Sequence, residues 1–114
     1  MLKPVQELIQ SVRPTLRSVS AVEAKTEITK NGGLLVDVRE PQEHQEKSAK
    51  GAINVPRGLL EFKLPAIEGN AARPIYLHCA AGSRAVLAAE QLQRLGYSNV
   101  TVISCKADEV CAVF

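Results

Sequence analysis

The sequence of 114 residues predicts a single α/β domain, an open and mostly parallel sheet of about four to five strands with helices on both faces. Two observations carry this expectation. Short apolar runs alternate along the chain with segments of helical period, and the length suits one core rather than two, since domains cluster near roughly 100 to 150 residues. At 46% apolar and 23% charged residues the composition is far from that of a disordered chain, so the core can form.

Each element has a local cause. Val5, Leu8, Ile9 and Val12 recur at helical spacing, which predicts a short amphipathic helix over 3–12, ended by Pro14. With its flanks it forms an N-terminal helical extension, residues 1–15, placed as a lid. Ser20 and Glu23 have capping-box spacing and open a helix that runs to about Lys30, where Asn31-Gly32-Gly33 stops it. Leu34 to Val38 is apolar and partly β-branched, as a strand buried on both faces should be. The charged stretch 42–50 carries no assigned element, and Ala52 to Pro56 reads as a short strand closed by proline. Residues 59–68 predict a helix broken near Pro65. Pro74 to His78 is the clearest central strand, the helix 84–95 follows with Gly96 as its stop, and Val100 to Ile103 gives the last strand.

Bulk properties exclude several functions. Fourteen basic against twelve acidic residues give +2, too weak a balance to argue for nucleic acid or an anionic membrane. No apolar run approaches the roughly 20 residues that cross a bilayer. The N-terminus lacks the apolar core and small-residue cleavage site of a secretory signal, so the cytoplasm is the default location. Three cysteines, Cys79, Cys105 and Cys111, are an odd number that reads as free thiols in a reducing compartment rather than a disulfide framework. With two histidines in the chain, no four-ligand zinc spacing can be assembled, and no metal site is expected.

In an open α/β sheet, ligands bind beyond the carboxyl ends of the strands, where helix N-termini present free N–H groups. Cys79 stands there, between the strand ending at His78 and the helix from 84. The loop Ala80-Ala81-Gly82-Ser83-Arg84 has small side chains that let successive amides curl toward one point as an anion nest. Such a cradle favours a thiolate nucleophile, and the reading expects Cys79 at the floor of an open concavity. The competing reading of Cys79 as a buried small residue is the commoner fate of a free cysteine elsewhere in proteins.

The string Cys79-Ala80-Ala81-Gly82-Ser83-Arg84 resembles the C-x-x-G-x-R active-site loop of single-domain rhodaneses. Leu35 to Pro41 looks like their L-x-D-V-R-E-P segment, and Gly51 to Pro56 resembles their G-A-I-N-I-P segment, in the same order and spacing. With Gly96-Tyr97 the similarity spans residues 20 to about 104. It implies a rhodanese-like fold and a sulfurtransferase. Cys79 would take sulfane sulfur from thiosulfate or another persulfide donor and pass it to cyanide or a thiol, with no cofactor, and a protein could serve as donor or acceptor. The amides of Ala80 to Arg84 would hold the persulfide, with Arg84 fixing the loop through a carboxylate or binding the anion. Asp37 and Arg39 match the D-x-R positions and are expected to border the pocket and brace its loops, with direct substrate contact as the alternative for Arg39. Arg57, His44 and His78 are read as structural or solvated.

Three departures stand out against this likeness. Lys47-Ser48-Ala49-Lys50 replaces a G-H-I-P segment, Ala80 stands where a basic residue is common, and residues 105–114 form an atypical end with Cys105-Lys106 and Val110 in place of a glycine pair and tryptophan. Loss of the charge at 80 makes sulfur donors other than thiosulfate more plausible. Cys105 is read as packed, with a role in resolving the persulfide as the alternative. Dual-specificity phosphatases and arsenate reductases also set a cysteine in an amide cradle closed by arginine. Their C-x5-R loop is longer, whereas Cys79 and Arg84 enclose four residues, a cradle better sized for one sulfur atom. The rival of another class is a catalytically silent module that presents this fold to a protein partner.

Overall fold

A computed structural model describes all residues from Met1 to Phe114. Five parallel strands, β1 (Arg17–Val19), β2 (Leu34–Asp37), β3 (Ile53–Asn54), β4 (Ile75–His78) and β5 (Val100–Ile103), form one sheet in the order β1, β5, β4, β2, β3. Six helices accompany them: α1 (Val5–Val12), α2 (Ala21–Asn31), α3 (Pro41–Glu46), α4 (Leu60–Ile67), α5 (Ser83–Leu95) and α6 (Ala107–Val113). The expected open parallel α/β sheet, covered on both sides, is the fold observed.

Strand alternation sorts side chains onto the two faces. Val36 and Val38 from β2 and its end, Ile75, Leu77 and Cys79 from β4 and its end, and Val102 from β5 join one cluster with Ile9, Leu60, Leu64 and Leu92, under α1, α4 and α5. Leu35, Tyr76, Val19 and Ile103 join Ala21, Ala24 and Val110 on the other face, under α2 and α6. Burying each large aliphatic side chain contributes about 1.5–3 kcal/mol, so both faces are held chiefly by apolar burial. The Tyr76 hydroxyl, whose ring fills the second cluster, donates to Glu27 at 2.6 Å and accepts from Asn31 at 3.0 Å.

The predicted signals act as read at most ends. Ser20 and Glu23 form the reciprocal capping box, and Gly32 closes α2 in the left-handed conformation at φ 67°. The next residue, Gly33, is required for space: a Cβ there would lie 2.7 Å from the Tyr76 ring.

Four differences have physical reasons. Arg17–Val19 is a strand of three residues at the sheet edge, with two exposed, and is too short for periodicity to reveal. Residues 41–46 form α3, with Pro41 at its first position, where a missing N–H costs nothing. Helix α4 runs through Pro65 unbroken: Pro65 is exposed in its second turn, so the bond it cannot donate to the Glu61 carbonyl is lost near solvent. The altered C-terminal end closes in a helix of seven residues, α6.

Candidate active site

Strand β4 ends at fully buried His78 and delivers Cys79 to the carboxyl edge of the sheet, between β5 and β2. Tight turning through 80–82 is possible because Gly82 takes φ 97°, a left-handed conformation that L side chains resist. That turn aims the Gly82 N–H at the Cys79 Sγ, 3.0 Å away, and the Ala85 N–H follows at 3.4 Å. Ala85 lies in the first turn of α5, where N–H groups have no partner within the helix. The sulfur therefore sits at the positive end of a helix of 13 residues with two main-chain donors on it.

The expected open concavity is absent. Cys79 is 1% exposed, and the two surface clefts lie elsewhere. One of about 340 Å³ is lined by Pro65, Glu68 and Tyr97, the other by Val22, Lys25 and Val113. Loop 80–83 folds over the sulfur instead, pinned where Ala107 donates to the Ala80 carbonyl at 3.0 Å. Ala81 is its exposed tip and Ala80, Ser83 and Arg84 are half-buried.

Of the cradle read from sequence, Gly82 supplies an N–H to sulfur, while no such bond comes from Ala80, Ala81, Ser83 or Arg84. Ala85, outside the predicted loop, supplies the second; the first-turn position of any helix that starts at 83 could have signalled it. The Arg84 guanidinium is held by Glu43 of α3 in a bidentate pair at 2.7 and 3.1 Å. The pair raises the arginine and holds the Glu43 carboxyl below its ordinary range. Glu43 was not singled out in the sequence, although Glu40-Pro41-Gln42-Glu43 carries a helix-start pattern that could have found it.

Asp37 and Arg39 come together, on the face of the sheet opposite Cys79. Arg39 grips the fully buried Asp37 carboxylate through Nε at 3.0 and 3.1 Å and Nη2 at 2.8 Å, and donates onward to the Lys47 carbonyl at 2.6 Å. His44 Nδ1 lies 2.9 Å from Asp37. Burial pushes the Asp37 carboxyl up, and the bonds from Arg39 and His44 outweigh it, leaving it below its ordinary range. Asn54 donates to the carbonyls of Asp37 and Arg39 at 3.0 and 2.9 Å, so this unit staples β2, β3 and the 47–50 loop together. Arg57 pairs with Glu61 at 2.7 Å.

His78 points to the Asp37 side, away from sulfur, with Nε2 3.9 Å from that carboxylate and neither ring nitrogen hydrogen-bonded. Burial, foremost, pushes its pKa down. Cys105 packs in the cluster of the opposite face and its Sγ accepts from Ala21 N–H at 3.3 Å; burial pushes that thiol up. All three cysteines are free.

The chain is similar to known proteins in sequence and in fold. Two curated relatives are each 29% identical to this chain: the putative mitochondrial thiosulfate sulfurtransferase of Schizosaccharomyces pombe over 82 residues, and the thiosulfate sulfurtransferase PspE of Escherichia coli over 65 residues. The matches cover 59% and 57% of this chain, and the chain spans 55% and 62% of those proteins' lengths. Reduced CoADR-RHD of Bacillus anthracis superposes with a TM-score of 0.70 at 33% identity, covering 86% of this chain and 17% of that one. A Rhodopseudomonas palustris protein described as a possible tyrosine phosphatase shares the fold alone, at a TM-score of 0.79 and 19% identity over 98% of this chain and 91% of that one. The sequence model of the Rhodanese-like domain matches residues 20–108, which takes in strands β2 to β5, Cys79 and its loop. This chain belongs to the rhodanese-like domain family.

Proposed function

We propose that the chain is a sulfurtransferase that stores one sulfane sulfur on Cys79 as a persulfide. The observation that carries this reading is the Cys79 sulfur itself, held by the N–H groups of Gly82 and Ala85 at a helix N-terminus. In the first step the thiolate attacks the outer sulfur of thiosulfate; a Cys79 S–S bond forms, the donor S–S bond breaks, and its electron pair leaves with sulfite. In the second, cyanide or a thiolate attacks the outer sulfur of the persulfide, and the pair returns to Sγ as thiocyanate or a new persulfide departs. Both are two-electron displacements, so the electron count closes without a cofactor. Fixed amides that follow the negative charge are the kind of preorganised donor whose removal costs about 2.7–4 kcal/mol of barrier.

Asp37 and Arg39 act here as braces for the loops behind the nucleophile, because their charges are spent on each other. Arg84 fixes the start of α5 through Glu43. Donor entry requires residues 80–83 to swing outward, since the sulfur is closed off as it stands. Other persulfides, including one borne on a protein, are donors of the same chemistry. The cytoplasm suits three unpaired thiols.

The same closure gives the silent binding module its footing, because a sulfur that is never uncovered reacts with nothing. Thiocyanate formation from thiosulfate and cyanide separates the two. The sulfurtransferase reading expects turnover in the wild type and a fall to background in Cys79→Ala. Equal rates in both proteins would move the chemistry to another thiol, and no transfer from any sulfane donor would leave the module.

A further inference from the structure

Seven arginines are present, and five are neutralised by a carboxylate: Arg17 by Glu27, Arg39 by Asp37, Arg57 by Glu61, Arg73 by Glu68 and Arg84 by Glu43. Arg94 is exposed near the far end of α5. The remaining one, Arg13, is half-buried and has neither an ion pair nor a side-chain hydrogen bond. Half-burial of an uncompensated guanidinium costs desolvation without return, unless a ligand supplies the negative charge.

Its place is the Cys79 loop. Ile9 and Val12 anchor α1 in the core beside α5, and the 3-10 turn Arg13–Thr15 follows directly. A Cβ on Gly82 would lie 4.0 Å from Arg13 Nη1, and Gly82 is the residue whose N–H holds the sulfur. The loop brings no free charge of its own: Ala80, Ala81, Gly82 and Ser83 are uncharged, and Arg84 is taken by Glu43. Arg13 also precedes residues 20–108, the part matched by the family, so it is supplied by the N-terminal extension.

We propose that Arg13 is a specificity-determining residue that draws small anionic sulfur donors, such as thiosulfate, to the mouth of the Cys79 loop. The inference rests on the sulfurtransferase reading for its substrate, and its test does not. The probes are iodoacetate and iodoacetamide, which alkylate a thiolate by the same displacement of iodide and differ in charge. Their rate ratio at Cys79, read by peptide mass spectrometry, cancels changes in thiol ionisation and loop opening that affect both reagents alike.

Arg13→Gln is expected to lower the iodoacetate to iodoacetamide ratio about five- to tenfold at low salt, with Arg13→Lys restoring most of it and added salt shrinking the difference. The kcat/KM for thiosulfate should fall in parallel. An unchanged ratio in Arg13→Gln overturns the proposal even if sulfur transfer is intact. A shifted ratio in a protein that transfers no sulfur upholds Arg13 as the anion-recruiting group and overturns the enzymatic reading instead. Equal slowing of both reagents shows a merely structural part for Arg13 and also overturns the proposal.

Discussion

His78 is the residue whose chemistry is least compensated: fully buried next to Cys79 in sequence, aimed at the other face, with both ring nitrogens unbonded. Burial lowers its pKa in the folded chain, so as pH falls through 6.5 the unfolded chain takes up the proton first. Stability is therefore full above that pH and declines below it, by at most about 1.4 kcal/mol per pH unit from this group. Urea unfolding of the wild type between pH 7.5 and about 5.5 should show the decline, and His78→Leu should flatten it. An equal slope in both proteins would remove His78 as its source. Cys79 and Gly82 were legible from sequence because strand, turn and helix are contiguous there. The pairing of Glu43 with Arg84 was not, because a helix-start pattern at 40–43 marks Glu43 only as a helix residue, and the arginine 41 residues away meets it only through the fold.

Among the elements, α3 does more than its six residues suggest. It carries Glu43 to Arg84 and His44 to Asp37, joining the start of α5 to the brace on the opposite face. Both groups of the Glu43–Arg84 pair are about one-third exposed, at 36% and 35%, so solvent screens most of its contribution to stability. Glu43→Gln should shift unfolding by no more than about 1 kcal/mol. Its effect on the loop should be larger: thiosulfate turnover is expected to drop several-fold as the first turn of α5 loosens under Ala85. Turnover that tracks the small stability change, and no further, would show that Arg84 needs no partner. This helix was missed because charge dominates 42–50, whereas α2 and α5 announce themselves through a capping box and a continuous apolar face. Strand β1 escaped for lack of length, and its neighbour β5 supplies the register that its own residues do not encode.

For the whole molecule, parallel topology sets β4 in the middle of five strands and leaves Cys79 at their carboxyl edge, under α1 and α5 and across the sheet from the Asp37 unit. Alternating strands and helices imply the open parallel sheet, so the architecture was readable, whereas the order of its strands was not. The closed state of the loop was not, because it depends on the Ala107 to Ala80 bond and on α6, whose residues depart from the family's usual ending. On the proposed function, closure makes loading the decisive event, because the Cys79 sulfur must be uncovered before it can accept one more atom. The most direct test is the intact mass of the chain after incubation with thiosulfate and removal of small molecules. The account predicts a gain of one sulfur atom, mapped to Cys79, reversed by cyanide and missing in Cys79→Ala. An unchanged mass after thiosulfate and after persulfide donors alike would contradict it.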